Sequence, residues 1–144
     1  MTHRPSSSEQ APLVFWIIWL SILIGLFVIR FQIGGGIPEG SDTAELPMGM
    51  IALLYTLLAA SVVVRWLILP KTSSSESLMK FMVIGVALAE GAGLLSILLL
   101  GNDLPETQRF FFYCSIVGIV QFVPTYCHKL APPGGSSPPP PGKR

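Results

Sequence analysis

Glu90 is the side chain in this sequence best placed to do chemistry. It is the single carboxylate in a long apolar run from Leu78 to Leu100, 12 residues after the run begins. If that run is a helix through a bilayer, the carboxyl lies near mid-depth. About 20 residues rising about 1.5 Å each cross a hydrocarbon core of roughly 30 Å. A charged carboxylate facing lipid there costs at least a few kcal/mol, so the group must be protonated, paired or hydrated. An apolar surround disfavours the charged form, and the neutral acid is the expected resting state. Counting along the other apolar runs places Ser21, Ser61 and Gln121 at similar depth. Hydroxyl and amide groups hydrogen-bond either form of the acid. Glu90, Ser21, Ser61 and Gln121 therefore make up a candidate intramembrane proton or hydrogen-bond site. Arg65 lies about 10 Å away in depth, and its easier course is to reach the headgroups. Two roles fit Glu90. One is a protonated group whose hydrogen bonds fix the register between helices. The other is a proton or cation site on a translocation path. A path needs more polar lining than these few groups give, which puts the structural role first.

Little else in the chain carries chemistry. The histidines, His3 and His128, stand in the polar flanks, where solvated surface is the expected role. On one continuous helix Cys114 and Cys127 would lie about 20 Å apart, too far for a disulfide. Cys114 is expected to be a buried, inert thiol, and Cys127 falls at a membrane edge where palmitoylation is conceivable. Ser/His/Asp sets, paired carboxylates, zinc spacings and phosphate-binding loops are missing from the sequence. The expectation is a protein that is not an enzyme and holds no metal or cofactor. A formal net charge of +1 gives no field for nucleic acid.

The elements that must position Glu90 follow from composition. Of 144 residues, 51% are hydrophobic and 12% charged; a soluble domain carries about twice that charged fraction. Mean hydropathy is +0.63. Four apolar runs predict an all-α, membrane-spanning antiparallel four-helix bundle, with helices over 12–31, 48–69, 78–100 and 110–126 inside a domain of residues 12–128. The first run is longer than a signal-peptide core and continues into Arg30 and Phe31, which favours an uncleaved helix. Pro47 and Pro70 bound the second. The fourth is the least regular, because Gln121 and Pro124 interrupt it, and a re-entrant segment is the competing reading. Residues 1–11 and the proline-rich tail 129–144 read as disordered, and 32–46 as an external loop.

Flanking charges orient the chain. Arg4, Arg65, Lys71, Lys80, Lys129, Lys143 and Arg144 fall on one side. Arg30 and Arg109 fall on the other, among Glu39, Asp42, Glu45, Asp103 and Glu106. The positive-inside rule then places both termini in the cytoplasm of a cell (inner) membrane. Lipid tails are as apolar as leucine, so helices there associate through close backbone approach and polar contacts. Small residues four apart offer such ridges: Ser21 and Gly25, Ala52, Thr56 and Ala60, Gly85, Ala89 and Gly93, Cys114 and Gly118. At about 100° per residue, Glu90 projects beside the third of these ridges, with Gly93 leaving space near it.

The stretch Ala87-Leu88-Ala89-Glu90-Gly91 resembles the carboxylate helix of rotary ATP synthase proteolipid subunits, which implies reversible protonation of Glu90 in an oligomeric ring. That likeness covers one or two helical turns. Proteolipid subunits are mostly two-helix hairpins with the glutamate on the second helix and a polar cytoplasmic loop, and this chain departs from both features. The layout also resembles small uncharacterised four-helix bacterial integral membrane proteins with an Ala-x-Ala-Glu-Gly motif in the third helix, a resemblance that implies no particular activity. The leading expectation is a non-enzymatic accessory or interaction subunit, its partners the lipid bilayer and a homo-oligomer or another membrane protein. The alternative is a proton-linked transporter or channel component using Glu90.

Overall fold

The structure, a computed structural model, describes residues 7–45, 47–100 and 103–125. Its elements are four α-helices: α1 (Ser7–Gln32), α2 (Met48–Val63), α3 (Ser75–Leu99) and α4 (Pro105–Val120). A π turn, Val64–Ile68, and a short 3₁₀ turn, Leu69–Lys71, extend α2. Three of the helical stretches are long and apolar enough to cross a membrane: Leu13–Gln32, Met48–Lys71 and Glu76–Leu99. The fourth, α4, has 16 residues, a length of about 24 Å. Large apolar side chains project outward on every helix, among them Ile17, Phe31, Leu67, Leu98 and Val117. Helices apolar all round need an apolar surround.

The boundaries move for local reasons. Helix α1 begins at Ser7, so residues 7–11, expected to be disordered, are helical. Helix α3 begins at Ser75 because the Ser74 hydroxyl accepts from the Ser77 N–H, capping the first turn. Helix α4 begins five residues before the expected Phe110, with Pro105 in its first turn, where a missing N–H costs nothing. It ends at Val120, short of the expected Tyr126, and the chain turns through Gln121 to Thr125. Residues 1–6 and 126–144, with His3, Cys127, His128 and the proline-rich tail, lie outside the described residues.

Helix α3 is central. It packs most extensively on α4, then on α2, then on α1. One core cluster joins Phe15, Trp19 and Leu26 of α1 to Met82, Val86 and Ala89 of α3 and to Phe112, Ile119 and Phe122. A second gathers Leu54, Ala92, Leu100, Leu104 and Phe111. The loop between α1 and α2 closes over the start of α4. There the Thr43 N–H donates to the Asp103 carbonyl at 2.9 Å, and Arg109 donates to the Pro38 carbonyl at 3.4 Å.

Candidate functional site

The small-residue ridge of α3 is where backbones come closest. A Cβ built on Gly85 would collide with the Phe122 ring and stand 3.0 Å from Val64 Cγ1. One on Gly118 would lie 2.8 Å from Ala89 Cβ, and one on Gly93 would lie 2.9 Å from Ser115 Oγ and 3.0 Å from Leu26 Cδ1. Gly85, Ala89 and Gly93 thus seat Phe122, Gly118 and Ser115 in turn. The space that Gly93 was expected to leave beside Glu90 is filled by Ser115 and Leu26. Ala60 is half-buried on α2.

The four candidate polar residues do not form one cluster. Ser61 is buried, and its hydroxyl donates to the Gly85 carbonyl at 2.8 Å. Gln121 Nε2 reaches Ser61 Oγ at 3.5 Å, while Trp66 Nε1 donates to Gln121 Oε1 at 3.3 Å. Ser61 and Gln121 therefore belong together, where α2, α3 and α4 meet. Glu90 lies five residues beyond Gly85, about 140° further round the helix. Its carboxyl faces α1, with Oε1 3.9 Å from the position of a Cβ on Gly25. The group is half-buried and makes no hydrogen bond or ion pair among the described residues. Ser21, one turn before Gly25 on α1, is exposed. Arg65 sits on the π turn, its guanidinium 5.8 Å from the Trp66 ring centroid.

A second polar centre lies at the other end of α3. Arg30 is fully buried, with 0% of its surface exposed. Its Nη1 donates to Gln108 Oε1 at 2.9 Å, and its guanidinium lies 5.8 Å from the Phe112 ring centroid. Gln108 Nε2 in turn faces the Ser96 and Ile97 carbonyls at 3.3 and 3.2 Å. These belong to the last turn of α3, where the Ser96 carbonyl also accepts from the Leu100 N–H at 3.3 Å. Arg30 thus ties α1 to α4 and, through Gln108, to the end of α3. The backbone of Gly34 covers it: a Cβ there would stand 2.8 Å from the Arg30 carbonyl and 3.1 Å from Nη1. In the sequence Arg30 stands as a flank charge. The available signal was its position one residue inside the apolar run, with Gly34-Gly35-Gly36 close behind.

No protein-family model, curated protein or solved structure matches this chain.

Among the described residues no three His, Cys, Asp or Glu side chains converge to hold a metal ion. The Ser61–Gln121–Trp66 set pins helices together, and the Arg30–Gln108 set closes one end. Ser115 Oγ is buried without a partner beside Gly93. Among the described residues Glu90 is the carboxyl group inside a long apolar helix that the packing leaves without a hydrogen-bonding partner.

Proposed function

We propose that the chain is a small multi-pass integral membrane protein, crossing the bilayer four times as an antiparallel bundle with both termini cytoplasmic. We further infer that it acts as a non-enzymatic accessory or interaction subunit. The order of contacts supports the bundle. Along α3, Gly85, Ala89 and Gly93 meet Phe122, Gly118 and Ser115, so numbers rise on one helix as they fall on the other. Ser61 meets Gly85 while Leu54 shares a cluster with Ala92, the same opposed sense for α2. On α1, Gly25 meets Glu90, Leu26 meets Gly93 and Gly34 meets Ile97, and there both numbers rise together. Helix α4 with its following turn completes the fourth crossing, a short stretch being accommodated by local thinning of the bilayer at modest cost.

The observation that carries the accessory role is the filled interior. Side chains occupy the whole ridge of α3 from Gly85 to Gly93, and the polar groups fall into separate sets rather than a file. A conduit needs a continuous polar or hydrated lining. The alternative, a proton-linked transporter or channel component, draws on Glu90 alone. Purified full-length protein in liposomes with an internal pH dye separates the two. The accessory reading expects acidification no faster than in protein-free vesicles. Flux present in the wild type and lost in Glu90→Gln would replace it with the transporter reading.

A further inference from the structure

One side of α3 carries apolar residues that the fold covers only in part: Ile84, Ala87 and Leu98 are exposed, Gly91 and Leu94 half-buried. Ile84, Ala87, Gly91, Leu94 and Leu98 follow a spacing of 3, 4, 3 and 4 residues, which lines them along one side of a helix. Ile84 and Leu98 are 49% and 66% exposed, and a Cβ on Gly91 would meet nothing within 4 Å. Glu90 borders this face, its carboxyl resting against Gly25 of α1 without a hydrogen-bonding partner among the described residues. The exposed Ser21 adds a hydroxyl one turn away along the same seam.

We propose that this face docks against the same face of a second copy of the chain, with the two Glu90 carboxyl groups hydrogen-bonding to each other. The proposal rests on the membrane reading above and names the partner. A polar group in hydrocarbon costs several kcal/mol when unsatisfied, and apolar area alone gives helices no reason to associate there. The complementarity of the acid selects the occupant. A neutral carboxylic acid carries one donor and one acceptor, so two of them close a pair of O–H···O bonds. Copies inserted by the same flanking charges share one orientation, and a two-fold axis between them runs along the membrane normal. Each residue then lies at the depth of its own copy, and Glu90, about 60° from Ala87 and about 40° from Leu94 round the helix, flanks the seam within a side chain's reach of its counterpart. Gly91 beside it lets the backbones approach.

The test is disulfide trapping of the full chain in native membranes, with Cys114 and Cys127 replaced by serine. Gly91→Cys is compared with Val117→Cys, which places the thiol on the exposed side of α4, 69% open in the wild type. Oxidation is expected to trap Gly91→Cys as a homodimer and to leave Val117→Cys monomeric. Adding Glu90→Leu should cut the trapped fraction about tenfold, the scale of one interhelical polar contact. Glu90→Gln, which keeps a donor and an acceptor, should preserve most of it. Equal trapping at 91 and 117 would overturn the proposal. So would trapping at 91 that Glu90→Leu leaves unchanged, or a cross-link from 91 to a different protein. Alkaline carbonate extraction of the same membranes distinguishes the underlying reading: a chain that stays in the membrane but is not trapped sinks the dimer alone, whereas a chain that is released sinks the membrane assignment.

Discussion

Arg30 carries a charge into a setting where, among the described residues, no carboxylate lies within ion-pair distance. Gln108 is its hydrogen-bond acceptor, and Nε is buried without one. Removing one member of such a set costs more than removing both, because the survivor is left desolvated. Gln108→Leu should therefore lower stability by about 2–3 kcal/mol. Arg30→Met combined with Gln108→Leu should recover part of that loss. Thermal unfolding in detergent measures both, and a double variant less stable than Gln108→Leu alone would show that Arg30 is held by something other than Gln108. The sequence exposed Arg30 and Glu90 differently. Glu90 stands mid-run and announces itself. Arg30 stands at a run's end, where its type and position are those of a flank anchor, and only the fold of Gly34 over it shows the burial. Depth grouped Ser61 and Gln121 with Glu90 and Ser21 alike. The separation of Glu90 from them was not legible, because depth carries no information about which side of α3 each neighbour occupies.

Helix α4 shows how a loop can set a helix boundary. Thr107, Gln108 and Arg109 precede the expected start at Phe110, yet all three are helical. Asp42, more than 60 residues away in sequence, accepts the Glu106 N–H at 2.8 Å and both the N–H and hydroxyl of Thr107. Its carboxylate supplies the side-chain cap that the flanking residue Leu104 lacks. Burial works to raise the Asp42 carboxyl, but the hydrogen bonds from Thr107 and Glu106 and the charge of Arg109 outweigh it and hold the group below its ordinary value. The folded chain thus binds this proton less readily than the unfolded chain. The stabilisation is complete above the unfolded value of about 3.9 and disappears as pH falls through the lowered folded value. Asp42→Ala should cost about 1 kcal/mol at neutral pH, and the gap from wild type should close as pH falls through the lowered folded value. A gap of equal size on both sides of that value would show that the residue acts through packing rather than charge. A long-range cap of this kind leaves no local pattern, which explains why the start of α4 was misplaced while the start of α2, marked by Pro47, was found.

Seen together, the helices are held by close approach and a few polar pins rather than by amphipathic faces. The four apolar runs were readable because their length and the breaks at Gly34 to Gly36, Pro47 and Pro70 are written in composition. The dominance of α3 was partly readable, since Gly85, Ala89 and Gly93 mark one ridge, but which helix fills it depends on Phe122, Gly118 and Ser115 presenting matching shapes. The shortness of α4 makes the number of crossings the point on which the account turns. Single cysteines at Ser8, Gly40 and Lys143, in the full chain with Cys114 and Cys127 replaced by serine, can be probed with a membrane-impermeant maleimide on intact cells. Four crossings predict labelling at 40 from outside, and labelling at 8 and 143 only after permeabilisation. Labelling at 143 on intact cells would mean that α4 does not cross, and it would contradict the antiparallel bundle.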